Sequence, residues 1–237
     1  MNYKPTIPLA TSKLPRLDVE LLLDYRARHR DAVLRRLWEF KALRNAPGSR
    51  ILGELCFCIL TPQSNAIACD KAMIEMDKRG LLSDPLSRRN ELGTTIRRVR
   101  FWKNKTKYII KAWERFASDD EDGLRDELLV QSRKLEGNRE LRNWLREEMR
   151  GMGVGMKEAS HFLRNVGYGE GLAIIDRHIL RCLRELGVMG EGDVTPRLKA
   201  DYLELEERVF VFSSEVGLPL EELDLLLWSA RTGYVFK

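Results

Sequence analysis

The sequence predicts an all-α fold. Apolar residues recur at mixed three- and four-residue steps, as they do between about Asp18 and Leu43, which is the spacing of one helix face. The alternation typical of strands is almost absent. Helix-start signals are frequent, among them Thr195-Pro196 and Pro219 with the acidic residues after it. Together these observations predict a chain of helices joined by short turns.

The first fifth of the chain contains one long predicted helix. Residues 1–15 include three prolines, so we expect an extended or loosely packed segment there. A helix follows from about Asp18 to Leu43, with arginine-rich faces between its apolar positions. The segment Asn45-Ala-Pro-Gly48 is expected to end it.

The next segment, Ile51–Leu60, is nearly all apolar and could be a buried strand or a buried helix by periodicity alone. Because no other strand candidate is present to pair with it, a central buried helix is predicted. Thr61-Pro62 interrupts this helix, and a second one is predicted from about Ser64 to Lys78. Ser83-Asp-Pro85 predicts the start of a short helix.

Further helices are predicted along the rest of the chain, and two glycine clusters, at 151–155 and 167–171, separate some of them. The approximate ranges of these helices are 105–116, 122–133, 138–149, 156–166, 176–186, 196–213 and 219–230.

Composition and charge indicate which kind of molecule the protein binds and in which cellular compartment it is found. The net charge is +5 and the pI about 9.0, a balance that favours a polyanionic partner. No apolar run approaches the roughly 18 residues of a membrane span, and the first residues do not resemble a signal peptide. Four cysteines without metal-site spacing predict buried, reduced thiols and no bound metal. We therefore expect a cytoplasmic protein that does not bind membranes.

A glycine-spaced turn carries the chemistry. Gly151, Gly153 and Gly155 lead directly into a helix that begins next to Lys157, and Asp176 follows after a short apolar run. Backbone N–H groups at such a turn bind phosphate, and an amine beside a carboxylate suits Schiff-base chemistry on a sugar. The alternative is a hairpin that only binds DNA, with Lys157 solvated and Asp176 a helix N-cap.

A basic segment, residues 97–111, forms a second candidate site. It includes Arg100, Lys103 and Lys105, carries no acidic residue, and has Phe101, Trp102 and Tyr108 interleaved. Cations that contact phosphates and aromatic rings that stack on bases are typical of nucleic-acid grooves. The alternative is a solvated basic face whose aromatic side chains belong to the core.

The segments Met152–Leu163 and Ala173–Leu180 resemble the active-site core of the helix-hairpin-helix DNA glycosylases. The resemblance is closest to the short type of 8-oxoguanine DNA glycosylase/AP lyase, which is found mainly in archaea and some bacteria. It implies two helical lobes with a DNA-binding groove between them: residues 1–50 with 178–237, and a central lobe, 51–177, that contains the hairpin. It also implies that Lys157 attacks the sugar C1′ and that Asp176 assists.

The same resemblance assigns roles outside the hairpin. At a turn corresponding to Leu60–Ala66, related glycosylases use a glutamine or an asparagine to fill the gap left by the extruded nucleotide. Gln63 is our first choice for this role and Asn65 the second. In the short-type family a C-terminal lysine distinguishes the oxidised base and a preceding tryptophan lines the base pocket, which implies these roles for Lys237 and Trp228. Endonuclease III-like members usually carry a four-cysteine cluster, which this sequence lacks.

The resemblance predicts a bifunctional enzyme of base-excision repair. It would excise 8-oxoguanine from duplex DNA through a lysine Schiff base and nick the abasic site by β-elimination, without a cofactor. Carbonyls of the Gly151–Gly155 hairpin could hold a sodium or potassium ion. We expect a monomer that is associated with the nucleoid of a prokaryote and binds duplex DNA containing oxidised guanine. The alternatives are a glycosylase of the same superfamily for adenine or an oxidised pyrimidine, and a non-catalytic helix-hairpin-helix DNA-binding module.

Overall fold

The structure is a computed structural model that describes residues 7–8, 14, 16–117 and 119–236. It divides into two compact units. The first unit contains the described residues of Ala42–Tyr168, and the second contains those of Lys4–Lys41 and of Gly169–Lys237. The chain passes from one unit to the other after Lys41 and after Tyr168. The domain boundaries expected from the sequence, after residues 50 and 177, lie somewhat later in the chain than these two points.

Helices account for nearly all of the regular structure, which confirms the all-α class. No helix of the described ranges is long and apolar enough to span a membrane. A 3₁₀ turn, Leu43–Asn45, follows the first helix. The α-helices are α1 (Val19–Ala42), α2 (Gly48–Leu60), α3 (Ala66–Lys78), α4 (Arg89–Thr95), α5 (Trp102–Phe116), α6 (Gly123–Lys134), α7 (Asn138–Glu148), α8 (Met156–Asn165), α9 (Arg177–Glu185), α10 (Lys199–Glu215) and α11 (Leu220–Thr232).

The helix α2 forms the centre of the first unit, as its apolar run predicts. It contacts α3, α5, α6 and α8, and every residue from Ile51 to Leu60 is buried. A helix that is apolar on all sides is stable only when neighbours surround it. Its one acidic side chain, Glu54, pairs with Arg50 at 3.0 Å and accepts a hydrogen bond from Asn165 at 3.1 Å, because a buried charge needs partners.

The second unit is built from α1, α9, α10 and α11 together with a two-stranded antiparallel pair. In this pair β1 (Ile7–Pro8) runs beside β2 (Tyr234–Val235), with Ile7 opposite Val235. These strands are not predicted from the sequence, since two residues are too few to show an alternating pattern. The helix α11 packs on α9, α10 and β2.

Two predicted helix starts are wrong. Ser83-Asp-Pro85 opens a turn in which the Asp84 carboxylate accepts hydrogen bonds from the backbone N–H and the hydroxyl of Ser87, and α4 begins only at Arg89. Thr195-Pro196 lies three residues before α10, where Asp201 accepts from the backbone N–H of Leu198. The residues that cap helices also close isolated turns, so cap chemistry alone does not locate a helix.

Candidate active site

The glycine hairpin connects α7 to α8. Gly151 and Gly153 have φ angles of +77° and +73°, a region that residues with a Cβ rarely adopt. The backbone N–H of Met152 donates to the carbonyl of Met149 at 3.0 Å. A Cβ at Gly153 would lie 2.9 Å from the ring of Tyr108 on α5. Glycine is therefore required at position 153 both by its backbone angle and by its neighbour.

Lys157 lies in the first turn of α8, directly after the hairpin. Its side chain is 21% exposed, and Nζ is 3.1 Å from Glu158 Oε1. The other oxygen of Glu158 accepts a hydrogen bond from the backbone N–H of Gly155 at 3.1 Å. Glu158 thus caps α8 and holds the amine of Lys157 at the same time. The sequence-based prediction of the site omitted Glu158, although its position three residues after Gly155 is a capping signal.

Asp176 is the N-cap of α9 in the second unit. Its Oδ1 accepts hydrogen bonds from the backbone N–H groups of His178 at 2.8 Å and Ile179 at 2.9 Å. The capping geometry considered as an alternative is therefore present. It uses one carboxylate oxygen, and no hydrogen bond from a described residue reaches Oδ2. Asp176 therefore caps α9 through Oδ1, while Oδ2 can accept a hydrogen bond from another molecule.

The segment that leads into Asp176 is held by two buried side chains of α10. The Tyr202 hydroxyl donates to the carbonyl of Ala173 at 2.7 Å and accepts from the N–H of Ile175 at 3.3 Å. Glu206 accepts from the N–H of Ala173 at 3.0 Å. This support is not predicted from the sequence, because nothing in the local pattern links α10 to the apolar run before Asp176.

Trp228 lies on α11 between two other rings. The Phe236 ring stacks on it, with centroids 5.8 Å apart and an interplanar angle of 25°. The His178 ring meets it edge-on at 6.1 Å. Phe236 and the preceding Val235 are buried, so the chain is docked up to its last described residue. The predicted base-recognition residue Lys237 lies outside the described residues.

The loop Leu60–Asn65, which connects α2 to α3, contains the predicted gap-filling residue. Gln63 is exposed and has φ +53°, and no hydrogen bond links its side chain to another described residue. The Asn65 side chain accepts from the N–H of Ala68 at 3.0 Å and caps α3. The capping role of Asn65 favours Gln63 as the side chain available to DNA.

Lys105 differs from its predicted environment. We expected a cation on a DNA-facing surface, but Lys105 is only 4% exposed. Its ammonium donates to the carbonyls of Leu60 and Pro62 at 2.7 and 2.8 Å and to the Ser64 hydroxyl at 2.9 Å. Burial lowers the pKa of Lys105 to about 8. A sequence pattern shows that a lysine is basic, but burial depends on the elements that fold over it.

The other members of the basic segment are split between the surface and the core. Arg100 and Lys103 are exposed, which fits both a DNA-binding surface and a solvated basic face. Phe101 is 49% exposed with φ +60°, and the Arg100 guanidinium lies 4.7 Å from its ring centre. Trp102 packs close to Gly93, where a Cβ would lie 3.1 Å from its ring. Trp102 and Tyr108 thus make packing contacts, with Gly93 and Gly153 respectively, whereas Phe101 lies at the surface.

The cysteines and the remaining acidic groups show no arrangement for a transition metal. All four cysteines are buried and none is in a disulfide, and burial raises the pKa of Cys56 to about 12. Among the described residues, no three His, Cys, Asp or Glu side chains are grouped so that they could hold a metal ion.

Comparison with known proteins places the chain in a family. The model of the family described as 8-oxoguanine DNA glycosylase matches residues 33–218. An 8-oxoguanine DNA glycosylase/AP lyase of Fusobacterium nucleatum is 41% identical over 205 residues, which are 85% of this chain and 89% of that protein. The corresponding protein of Methanocaldococcus jannaschii is 38% identical over 210 residues, with coverages of 88% and 93%.

Solved structures agree with the sequence comparison. The 8-oxoguanine glycosylase/lyase of M. jannaschii in complex with a 15mer DNA containing 8-oxoguanine has a TM-score of 0.79 and 33% identity, covering 92% of this chain and 99% of that one. The 8-oxoguanine DNA glycosylase of Thermotoga maritima has a TM-score of 0.77 and 27% identity, with coverages of 92% and 98%. The chain belongs to the 8-oxoguanine DNA glycosylase family.

Proposed function

We propose that this protein removes 8-oxoguanine from duplex DNA and cleaves the strand at the abasic site that results, as a step of base-excision repair. The family match over most of the chain carries the proposal. The position of Lys157 in the first turn of α8, directly after the glycine hairpin, supports a reaction that uses an amine nucleophile. Adenine or an oxidised pyrimidine as the target base and a non-catalytic DNA-binding module remain as outcomes of the test below.

The reaction begins with extrusion of the damaged nucleotide, because its C1′ is inaccessible in the stacked duplex. The neutral amine of Lys157 attacks C1′, and the bond between C1′ and the base breaks. Glu158, whose carboxylate is 3.1 Å from the amine, is placed to accept the proton that Lys157 must lose. The C1′–O4′ bond then breaks, O4′ takes a proton, and C1′ stays joined to Lys157 as a Schiff base. This Schiff base acidifies the C2′ proton, and loss of this proton breaks the C3′–O3′ bond and expels the 3′ phosphate by β-elimination.

Asp176 acts on the sugar while the base leaves. Positive charge develops on the deoxyribose at this stage, and a carboxylate stabilises it electrostatically. The capping bonds from His178 and Ile179 fix Oδ1, and among the described residues no hydrogen-bond donor reaches Oδ2, which is the oxygen that we assign to this role. This role is compatible with the N-cap geometry and does not replace it.

The DNA backbone is bound by the hairpin and by the exposed cations. The N–H groups of the hairpin around Gly151, Gly153 and Gly155, other than those of Met152 and Gly155 that donate within the protein, bind a phosphate at the positive end of α8. Carbonyls of the hairpin would hold a sodium or potassium ion. Arg100 and Lys103, both exposed, contact further phosphates.

Two groups of side chains contact bases. Gln63, or Asn65 in second place, fills the gap left by extrusion, and Trp228 with Lys237 receives the oxidised base. The stacking of Phe236 on Trp228 gives a rigid aromatic wall for such a pocket. No further cofactor is required, because an amine completes both steps. The partner is duplex DNA with oxidised guanine, bound by a monomer in the cytoplasm near the nucleoid.

Borohydride trapping on a duplex with one 8-oxoguanine tests the proposal. The wild-type protein should form a covalent adduct and nick the strand, and Lys157→Gln should lower both by more than about 1,000-fold. Lys199→Gln is a matched control, because Lys199 is an exposed lysine in the first turn of α10 with no hairpin before it. Salt-sensitive DNA binding without adduct or nick in the wild type would indicate a non-catalytic binding module.

The target base and the role of Asp176 need separate measurements. A panel of lesion-containing duplexes, assayed with and without alkali, separates base excision from strand cleavage and identifies the preferred lesion.

Asp176→Asn should lower excision by about 100-fold and leave stability within about 0.5 kcal/mol, since asparagine caps helices as well as aspartate. An equal loss of activity and of thermal stability would assign Asp176 a capping role alone.

A further inference from the structure

The ammonium of Lys105 is directed at one loop rather than at solvent. Lys105 lies on α5, is 4% exposed, and gives its three hydrogen bonds to Leu60, Pro62 and Ser64. An ammonium has three donors, so these acceptors use all of them. A buried lysine is uncommon and needs such compensation. The loop therefore depends on a cation that comes from a later helix.

Gln63 lies between the acceptors that Lys105 holds. Its φ of +53° is in the left-handed region, which residues other than glycine seldom occupy unless their surroundings enforce it. Lys105 binds the carbonyl of Pro62 on one side and the hydroxyl of Ser64 on the other. The two contacts fix the chain immediately before and after Gln63 and direct its side chain into solvent.

We propose that Lys105 is a positioning residue that holds Gln63 in the conformation needed to enter the DNA stack when the damaged nucleotide is extruded. The inference rests on the proposed function and deepens it. Without the ammonium, two carbonyls and one hydroxyl of the loop would lose a donor, and Gln63 would relax to a more common backbone conformation. Insertion would then include the cost of restoring the left-handed turn.

The surroundings of Lys105 are consistent with this role. The charged or titratable groups that face it are Cys69 on α3, Lys157 and Glu158 on α8, and Arg100 just before α5. The Cys69 thiol donates to the same carbonyl of Leu60 at 3.2 Å. In contrast, Lys103 on the same helix is exposed and is therefore the better phosphate contact.

Lys105→Met tests the proposal, because methionine has a similar length and volume but no donor. The substrate is a duplex that carries 2-aminopurine beside 8-oxoguanine, so that fluorescence reports extrusion and a gel reports excision. At saturating protein, Lys105→Met should slow extrusion and excision by about 10-fold or more. Cleavage of a preformed abasic site, where no base pair has to be opened, should fall much less. Lys134→Met, an exposed lysine at the end of α6, should match the wild type in every assay.

Two measurements separate positioning from a direct phosphate contact and from a loss of structure. The salt dependence of binding to undamaged duplex should be unchanged in Lys105→Met, whereas Lys103→Met should reduce its slope by about 0.9. In combination with Gln63→Ala, the Lys105→Met substitution should cause no further loss of extrusion, since both changes disable the same insertion. A reduced salt slope for Lys105→Met, or losses that multiply in the double variant, would overturn the proposal.

A second variant covers the case in which Lys105→Met does not fold. Ser64→Ala removes one of the three acceptors without leaving a charge unpaired, and it should slow extrusion about threefold. Unchanged extrusion in this variant would also contradict the proposal. If the wild type gives no borohydride adduct, the proposed function fails by itself. The NMR amide signal of Gln63 in the free protein would then still report whether Lys105 or Ser64 holds the loop.

Discussion

The glycine hairpin and the loop Leu60–Asn65 of the first unit both place residues in the left-handed region, and the two segments differ in what keeps the residues there. In the hairpin the residues are Gly151 and Gly153, for which this conformation costs little. In the loop Leu60–Asn65 the residue is Gln63, and Lys105 from a distant part of the sequence fixes the chain around it. The first turn is determined by its own residues, whereas the second requires tertiary contacts.

Both turns nevertheless rest on the same helix. Lys105 and Tyr108 are three positions apart on α5 and so lie on one face of it. Lys105 supports the loop, and the Tyr108 ring lies against Gly153. Side chains of one rigid helix therefore support both segments that we propose to contact DNA. One helix can thus stabilise two turns whose own sequences are unrelated.

Gly153→Ala should have the largest effect on stability. The Cβ would meet the Tyr108 ring at 2.9 Å in a backbone with φ +73°, so we expect a loss of about 2–4 kcal/mol. The hairpin would move away from α5, and affinity for duplex DNA should fall with it. Denaturant unfolding and a DNA-binding titration measure the two losses.

Gly151→Ala is the control for that substitution. Gly151 has a similar φ of +77°, but a Cβ added there would have no neighbouring atom within 4 Å. Only the backbone cost of about 1–2 kcal/mol should remain. Equal losses at 151 and 153 would show that Tyr108 does not support the hairpin.

The pH dependence of stability should reveal the buried ammonium. Lys105 has a pKa of about 8 in the folded protein against 10.5 in the unfolded chain, so the unfolded state binds more protons between these values. The contribution of Lys105 to the free energy of unfolding should therefore rise with pH, by about 1 kcal/mol between pH 8 and 9. Burial raises the pKa of the Cys56 and Cys69 thiols to about 12 and 11 from the ordinary 9.0, so these thiols lower stability over the same range, and the contribution of Lys105 is the difference between the wild type and Lys105→Met. Urea titrations of the two proteins measure this difference, and an identical pH dependence in both would contradict the assignment.

Gln63→Gly should have the smallest effect on stability, with the opposite sign. Glycine relieves the left-handed backbone at position 63 but loses more entropy on folding, so a net gain of about 0.5–1 kcal/mol is expected. Excision of 8-oxoguanine should fall, because no side chain would remain to fill the gap. A thermal melt and a single-turnover excision assay would show the two changes in the same variant. A loss of stability would mean that the Gln63 side chain, and not only its backbone, holds the loop.

Much of the fold followed from local patterns. The apolar run Ile51–Leu60 predicted the central helix α2, and Pro219 marked the start of α11. These elements were predictable because their hydrophobic period or their cap is contained in about a dozen residues. The starts at Ser83 and Thr195 were wrong because the same residue types also occur outside helices. Asp84 closes a turn that is not continued as a helix, and α10 begins only at Lys199, after an N-cap at Leu198.

The sequence by itself determined the all-α class, the glycine turn and the order of Lys157 and Asp176 after it, because each depends on residue type and short spacing. The tertiary structure decided which polar groups are buried. Lys105 holds Gln63, and Tyr202 with Glu206 supports the segment before Asp176. The supports of Gln63 and of Asp176 join residues distant in the chain. Such contacts arise only when packed helices remove polar groups from water and oblige them to find partners in one another.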